Sequence, residues 1–447
     1  MLSTASAPGS HTMIPPADLL PQDRSNLKNF DSTTEALAKH PLRHQLPTQG
    51  PPMVPRGTYV SASAPARIDL AGGWTDTTPI THEHGGKVVN VAVKINDRAP
   101  YTVKARRTEA LVLSLSYDPD IPPEHFHSLD QIRDHADPLV PGALLKACIV
   151  ASGILGITPK RHDDVPFKTI AEALKHSGGG LELVIRSTLP LGSGMGTSSI
   201  LAAVILAVLK TLKGEAYTMD DLIYLTLDVE QMMNTGGGWQ DQVGGILPGF
   251  KVSTCERGLP IQIKTNVIDL SDSFIKNFDS RLLLIYTGQT RLAKNLLQTV
   301  LMNWAGQEPV VVETMHRLVQ EASQCERALI EGNMQDVGEV MKRYFAHKCL
   351  LSNTSLEDPP VVKLLLKHFD PYIEGASLAG AGGGGFLAVL LKPDLDRDSV
   401  LATVKNALAN ETYHRYHADD INVKDDLMWA WEATVDTTGL VVQIGEP

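Results

Sequence analysis

The 447-residue sequence is poor in cysteine, in long apolar runs and in positive charge. Its four cysteines (Cys148, Cys255, Cys325, Cys349) are scattered, with no Cys-x-x-Cys pair. That spacing speaks against a disulfide framework or a zinc site and makes a reducing cytosol the expected setting. The longest apolar run, Ile200 to Leu209, falls far short of the roughly 20 residues a membrane helix needs. The first residues lack a basic segment followed by an apolar one, so secretion is not expected. A formal net charge of −11 excludes broad binding to nucleic acid or acidic membrane, because a phosphate backbone demands a basic stripe. A single nucleotide is not excluded. Backbone N–H groups, a metal and one or two cations suffice to hold it.

What is present is ordinary globular material: 43% hydrophobic and 20% charged residues. The length predicts two or three domains, since one core rarely grows past about 250–300 residues. Residues 1–56, rich in Pro, Ser, Thr and His, read as a low-complexity tail or linker. From Thr58 the alternation predicts strands at 58–63, 88–95, 101–105 and 181–187, and apolar runs predict more at 281–286, 386–391 and 440–444. Helices are expected at 139–155, at 198–212, from a capping box of Thr218 and Asp221, and over 310–331. Strands mixed with helices, without regular β-α-β alternation, imply an α+β fold in two lobes, 57–262 and 263–447.

Three glycine-rich segments stand out. Residues 189–199, LPLGSGMGTSS, form a glycine turn running into a buried helix. Such a turn lets the backbone approach an anion, and the helix start offers unpaired N–H groups and the positive end of its dipole. A plain strand–helix turn with a serine cap is the alternative; three alternating glycines and three hydroxyls exceed what it needs. No Gly-Lys-Ser/Thr follows, so this is not a Walker A loop. Residues 377–386, SLAGAGGGGF, contain Gly-x-Gly-x-x-Gly, but a strand follows where a dinucleotide fingerprint requires a helix. A flexible loop or a close approach of two backbones remains open. Residues 63–76, SAPARIDLAGGWTD, set Arg67, Asp69 and Asp76 around Gly72 and Gly73. The arginine could meet phosphate or a reacting hydroxyl, or could form a surface ion pair.

In this order the three segments resemble the three motifs of the GHMP kinases, with the second motif complete from Pro190 to Ser198. The wording is closest to the kinase portion of the L-fucose kinases, in ARIDLAGGWTDTTP (66–79), TGGGWQDQVGG (235–245), YTGQTRLAKNLLQ (286–298) and VDTTGL (435–440). No pyrophosphorylase-like portion is seen upstream, so a stand-alone or excised kinase is expected. The resemblance implies an S5-like N-terminal lobe and a ferredoxin-like C-terminal lobe. It implies ATP held by Pro190, Gly192, Ser193, Gly194, Gly196, Thr197, Ser198 and Ser199, with Mg²⁺ on Ser198 and Glu230. Asp241 matches the catalytic aspartate and Arg67 the basic residue beside it. Asp76 matches the acid that bonds sugar hydroxyls. The remaining acceptor contacts implied are Gly73, Trp74, Gly237, Gly238, Trp239, Tyr286, Gly382, Gly383 and Gly384.

Galactokinases carry Glu-His where this chain has Gly73-Trp74, and that glutamate serves the C6 hydroxyl. Its loss, with an indole gained, suits the methyl of a 6-deoxy sugar, so the implied acceptor is L-fucose, with Trp74 or Trp239 packed on the methyl or ring. Heptose-phosphate kinases share the Gly-Gly loop, which leaves a kinase for another sugar open, as does a catalytically silent sugar sensor. His82-Glu83-His84 is expected in a solvated or sugar-rim loop rather than on a metal. Asp394, Asp396 and Asp398 fail as a calcium loop because Ser399 and Lys405 stand where Gly and Glu belong. Cys325 and Met232-Met233 read as packing.

Overall fold

A computed structural model describes residues 50–117, 121–137, 140–156, 167–190, 192–233, 235–288, 293–352, 360–410 and 430–445. The expected tail lies outside these residues as far as residue 49, as do residues 289–292. In chain order the strands are β1 (Val60–Ala64), β2 (Ala66–Ala71), β3 (Gly86–Ile95), β4 (Tyr101–Thr108), β5 (Leu113–Ser116), β6 (Glu124–Phe126), β7 (Gly180–Ser187), β8 (Phe250–Cys255), β9 (Ile263–Val267), β10 (Leu282–Tyr286), β11 (Ile373–Leu378), β12 (Phe386–Leu391), β13 (Ala430–Trp431), β14 (Ala433–Val435) and β15 (Val441–Ile444). They form three sheets among the described residues. One runs β15-β1-β4-β7-β5-β6. A second runs β14-β3-β8-β9, with β2 also paired to β3. The third runs β11-β12-β10-β13. The fold is α+β.

Side-chain period sets these strands. In β1 and β4 every second residue is buried, the pattern of a sheet with one face on the core. β10 and β12 are buried throughout, as the short apolar runs predict. In β2 the period of two places Arg67 and Asp69 on one face, and a bulge between Asp69 and Ala71 turns the chain toward Gly72.

Five helices bear on the glycine segments and on β2. α1 (Thr197–Lys213) is apolar almost all round and lies against β1 and β4. α2 (Met219–Met232) starts at the expected capping box, Asp221 N–H to Thr218 Oγ1 (3.1 Å) and Thr218 N–H to Asp221 Oδ2 (2.7 Å). α3 (Gln240–Ile246) packs on β2 and β3. Buried Lys251 donates to its Gly244 carbonyl (2.9 Å), and desolvation pulls that lysine's pKa down to about 7. α4 (Pro309–Ile330) and α5 (Met334–Leu351) pack on each other. α5 spans from β2 to β11, and so from the second sheet to the third. It has no counterpart among the expected elements.

The sheets do not divide at residue 262. β14 pairs with β3 and β15 with β1 (Val60 opposite Ile444), so the closing strands complete the first two sheets. The His82–His84 segment is the end of a short helix, Ile80–His84, rather than a loop; Pro79 sits at its N-cap and Thr81 N–H reaches Thr77 O (2.9 Å). Its side chains are engaged, Glu83 accepting from Trp304 Nε1 (2.7 Å) and His84 bonded to His316 (2.9 Å). Asp396 caps the helix Arg397–Asn410 by accepting from Ser399 N–H (2.8 Å). No described helix is long and apolar enough to cross a membrane.

The glycine segment after β11 is a close approach of backbones. Phe386 N–H donates to Ser193 O (3.1 Å), and a Cβ at Gly380 would lie 2.9 Å from the Gly194 Cα. At Gly385 φ is +85°, and a Cβ there would overlap the Ser193 carbonyl. Gly385→Ala is therefore expected to cost roughly 2 kcal/mol or more, read as a fall in the thermal unfolding midpoint; an unchanged midpoint would refute this packing.

Candidate active site

The site begins with Arg67, almost fully buried on β2. Its Nε and Nη2 donate to Asp241 Oδ1 (2.9 and 2.6 Å), and its Nη1 donates to Asp69 Oδ1 (2.6 Å). Burial alone would lower its pKa, but Asp241 and Asp69 outweigh this and hold it charged. Asp241 stands in the first turn of α3, beyond Gly237 and Gly238. Gly238 has no room for a side chain: a Cβ would overlap Asp76 Oδ2.

Two cavities meet at this pair. The larger, about 970 Å³, is lined by Gly192, Ser193, Gly194, Gly196, Thr197, Ser198, Gly383 and Gly384. Its lining also has an apolar part, Val140, Leu144, Ile185, Leu189, Leu201 and Met233, and includes Tyr117. The smaller, about 130 Å³, is lined by Trp74, Asp76, Thr77, Gly237, Gly238, Gln240 and Leu297. Arg67, Asp241, Gly380 and Ala381 line both.

At the start of α1, Gly194 and Gly196 both have φ +78° and no side chain caps the helix. Its first N–H groups are thus unclaimed by side chains. The three hydroxyls divide their work. Thr197 bonds Tyr101 (3.0 Å), Ser199 donates to Glu230 Oε1 (2.6 Å), and exposed Ser198 lines the large cavity. Pro190 closes the turn through its carbonyl to Ser193 N–H (3.3 Å). Glu230 lies outside both cavities, its second oxygen bonded to Thr235, and desolvation raises its pKa. Ser198 and Glu230 carry the hard-oxygen donor types that Mg²⁺ takes alongside phosphates and water, with both Glu230 oxygens bonded to hydroxyls here.

In the small cavity, Asp76 accepts Gln240 N–H (3.1 Å) on one oxygen. Its other oxygen, Gln240 Oε1 and Trp74 Nε1 are buried without a protein partner. Trp74, at φ +79°, packs with Ile80, Val300 and Trp304. Gly73, an expected contact, lines neither cavity; a Cβ there would overlap the Tyr344 hydroxyl and come within 3.0 Å of Gln240 Oε1. Three further expected contacts also lie elsewhere. Trp239 is fully buried and donates to Thr81 Oγ1 (3.1 Å). Tyr286 packs on Phe386 (centroids 5.1 Å apart). Gly382 lies near Lys348: a Cβ on it would stand 4.0 Å from the Lys348 Cβ and Cε. Lys87 is bound to Glu326 (2.6 Å) and lines neither cavity. Sequence reasoning missed Gln240, although it sits inside the TGGGWQDQVGG motif, and the apolar lining of the large cavity, which comes from separate elements.

Residues 165–249 match the model of the GHMP kinases N terminal domain. The chain is 31% identical over 339 residues to an L-fucokinase/L-fucose-1-P guanylyltransferase of Bacteroides fragilis (74% of this chain, 34% of that protein). It is 31% identical over 341 residues to a bifunctional fucokinase/GDP-fucose pyrophosphorylase of Arabidopsis thaliana (76% and 30%). The chain thus spans about a third of the length of these curated relatives. In fold it is similar to a D-glycero-D-manno-heptose 1-phosphate kinase of Bacteroides thetaiotaomicron (TM-score 0.59, 15% identity, 86% of this chain and 98% of that one). It is also similar to the galactokinase of Lactococcus lactis, solved with galactose (TM-score 0.58, 17% identity, 86% and 95%). Residues 165–249 thus carry an N-terminal domain of the GHMP kinases, and about three quarters of the chain is similar in sequence to the two fucokinase-containing relatives.

Asp76 ties pH to stability. Burial, with Asp241 adding to it, raises its pKa from 3.8 to about 7. A raised folded-state pKa means that stability is full below the unfolded value near pH 4 and is lost as pH rises toward 7. Asp76→Asn should therefore melt above the ligand-free wild type at pH 8, with the gap closing by pH 4. Sugar affinity, measured by calorimetry, should fall roughly 10- to 100-fold, as expected for a lost hydrogen bond to a charged group. A lower melting point at pH 8 would contradict the assignment.

Proposed function

We propose that the chain transfers the γ-phosphoryl group of ATP to the anomeric hydroxyl of L-fucose, giving L-fucose 1-phosphate and ADP, as a cytoplasmic Mg²⁺-dependent enzyme. One observation carries the reading: the glycine-lined cavity and the small polar cavity share a wall made of Asp241 and Arg67. A phosphoryl donor in one and a hydroxyl in the other would face each other across that pair.

ATP would lie with its base against the apolar part of the lining and its phosphates on the N–H groups of 194–198. The sugar's anomeric O–H donates to Asp241, which takes the proton as the oxygen bonds to the γ-phosphorus. The bond to the β–γ bridging oxygen breaks, and its electron pair leaves with ADP. Arg67 stabilises charge developing on the sugar oxygen. Ser198 and Glu230 would hold Mg²⁺, which neutralises phosphate charge when bound. Most of the barrier is met by alignment, which rigid walls supply. L-Fucose suits the small cavity because its lining combines apolar surface from Trp74, Leu297 and Ala381 with the polar atoms of Asp76, Gln240 and the Trp74 indole N–H. The names of the two curated relatives support the same acceptor.

An ADP-release assay over a panel of sugars tests this. L-Fucose should give the fastest turnover, and Asp241→Asn should lower kcat roughly 10²- to 10⁴-fold. Turnover only with a phosphorylated heptose, or sugar binding with none, would replace it by the heptose-kinase or sensor reading. Trp74→Ala should narrow the preference for L-fucose over L-galactose roughly tenfold; an unchanged ratio removes Trp74 from the account.

A further inference from the structure

Lys348, on α5, is fully buried and lines neither cavity. An ammonium has three N–H donors, and the three partners here are Asp69 Oδ2 (3.0 Å), Gly380 O (2.9 Å) and Leu378 O. None is left for a phosphate. Asp69 is equally occupied. Arg67 Nη1 and Gly380 N–H (3.3 Å) donate to its Oδ1, and the Tyr344 hydroxyl (2.6 Å) and Lys348 donate to its Oδ2. Tyr344 is one helical turn before Lys348, and the ammonium lies 4.5 Å from its ring centroid. The side chains of both charged partners are completely buried.

We propose that Lys348 and Tyr344 are positioning residues that set Arg67 against Asp241 through Asp69, while Lys348 also pins the 378–380 backbone that walls both cavities. The kinetic consequence rests on the phosphoryl-transfer reading; the geometric one does not. The chain of contacts Lys348–Asp69–Arg67–Asp241 joins α5, β2 and α3, elements far apart in sequence. Arg67 has three donor atoms committed, and Asp69 fixes the one that Asp241 does not. A guanidinium released from Asp69 could rotate about its remaining contact with a single carboxylate oxygen, and the reacting pair would lose its fixed orientation.

Lys348→Met alone would leave Asp69 buried with one cation fewer, so two other variants of the full chain carry the test. Tyr344→Phe removes one oxygen. Asp69→Asn/Lys348→Met removes both charges together. Each is assayed for kcat and KM with ATP and the accepted sugar. The Arg67 Nε–H resonance is followed in ¹⁵N-arginine-labelled protein, assigned with Arg67→Lys. In the double variant kcat should fall roughly 10- to 100-fold, the cost of a misplacement near 1 Å. KM should stay within about threefold, as for an interaction made mainly in the transition state, and the Arg67 resonance should shift and exchange faster. Tyr344→Phe should move the same readouts in the same direction, less far. It decides alone if the double variant does not fold. Wild-type kcat with an unmoved Arg67 resonance, whatever happens to the melting point, would overturn the proposal. If the wild type turns over no sugar, the functional reading fails while the Arg67 resonance still decides this one.

Discussion

The site depends on one buried guanidinium shared between two carboxylates. Without Arg67, Asp69 would be left fully buried with Lys348 as its one cation, and the part-exposed Asp241 would lose its ion pair. Two structural accidents make the sharing possible. The two-residue period of a strand sets Arg67 and Asp69 on one face, and the start of α3, which packs on β2, delivers Asp241 to the same point. Burial and pairing then cooperate: Lys348 and Arg67 hold the Asp69 carboxyl well below the usual range although desolvation opposes them. The result is a fixed positive charge in a small cavity whose other charged lining residues are Asp241 and Asp76, the latter pushed upward in pKa.

The two glycine segments are a single object in space. Ser193 and Gly194 lie against Gly380 and Gly385, closely enough that side chains on either loop would collide with the other's backbone. The turn at the start of α1 therefore keeps its shape because a second turn backs it. Residues 377–386, open to two readings from sequence, are thus a backbone contact, and part of the segment, Gly383 and Gly384, also faces the large cavity.

Much of this was legible in the sequence, for identifiable reasons. Strands with clean alternation or short apolar runs, such as β4 and β12, follow from period alone, and the Thr218–Asp221 cap was readable from two residues. Arg67, Asp76, Asp241 and the 189–199 loop were found because their chemistry is concentrated in short motifs. What was not legible depends on contacts between distant segments. Trp239 reads as a sugar platform, but its indole turns inward to Thr81. α5 was missed although Asn333 and Asp336 mark its start and Val337, Val340, Met341 and Tyr344 mark its face. Its importance lies in Lys348, and nothing local distinguishes a buried lysine from a surface one. The return of β14 and β15 to the first two sheets likewise has no local signature.

Gly73 carries a consequence for how such a pocket changes over time. Any side chain there would run into the Tyr344 hydroxyl, itself locked onto Asp69. A galactokinase-type acid at this position is therefore not one mutational step away. The tyrosine would have to give way first, and its departure loosens the ion network under the reacting pair. Under the proposed L-fucose reading, a preference for an acceptor without a C6 hydroxyl would be guarded by an evolutionary ratchet, in which the intermediate on the path to a new sugar handles every sugar worse.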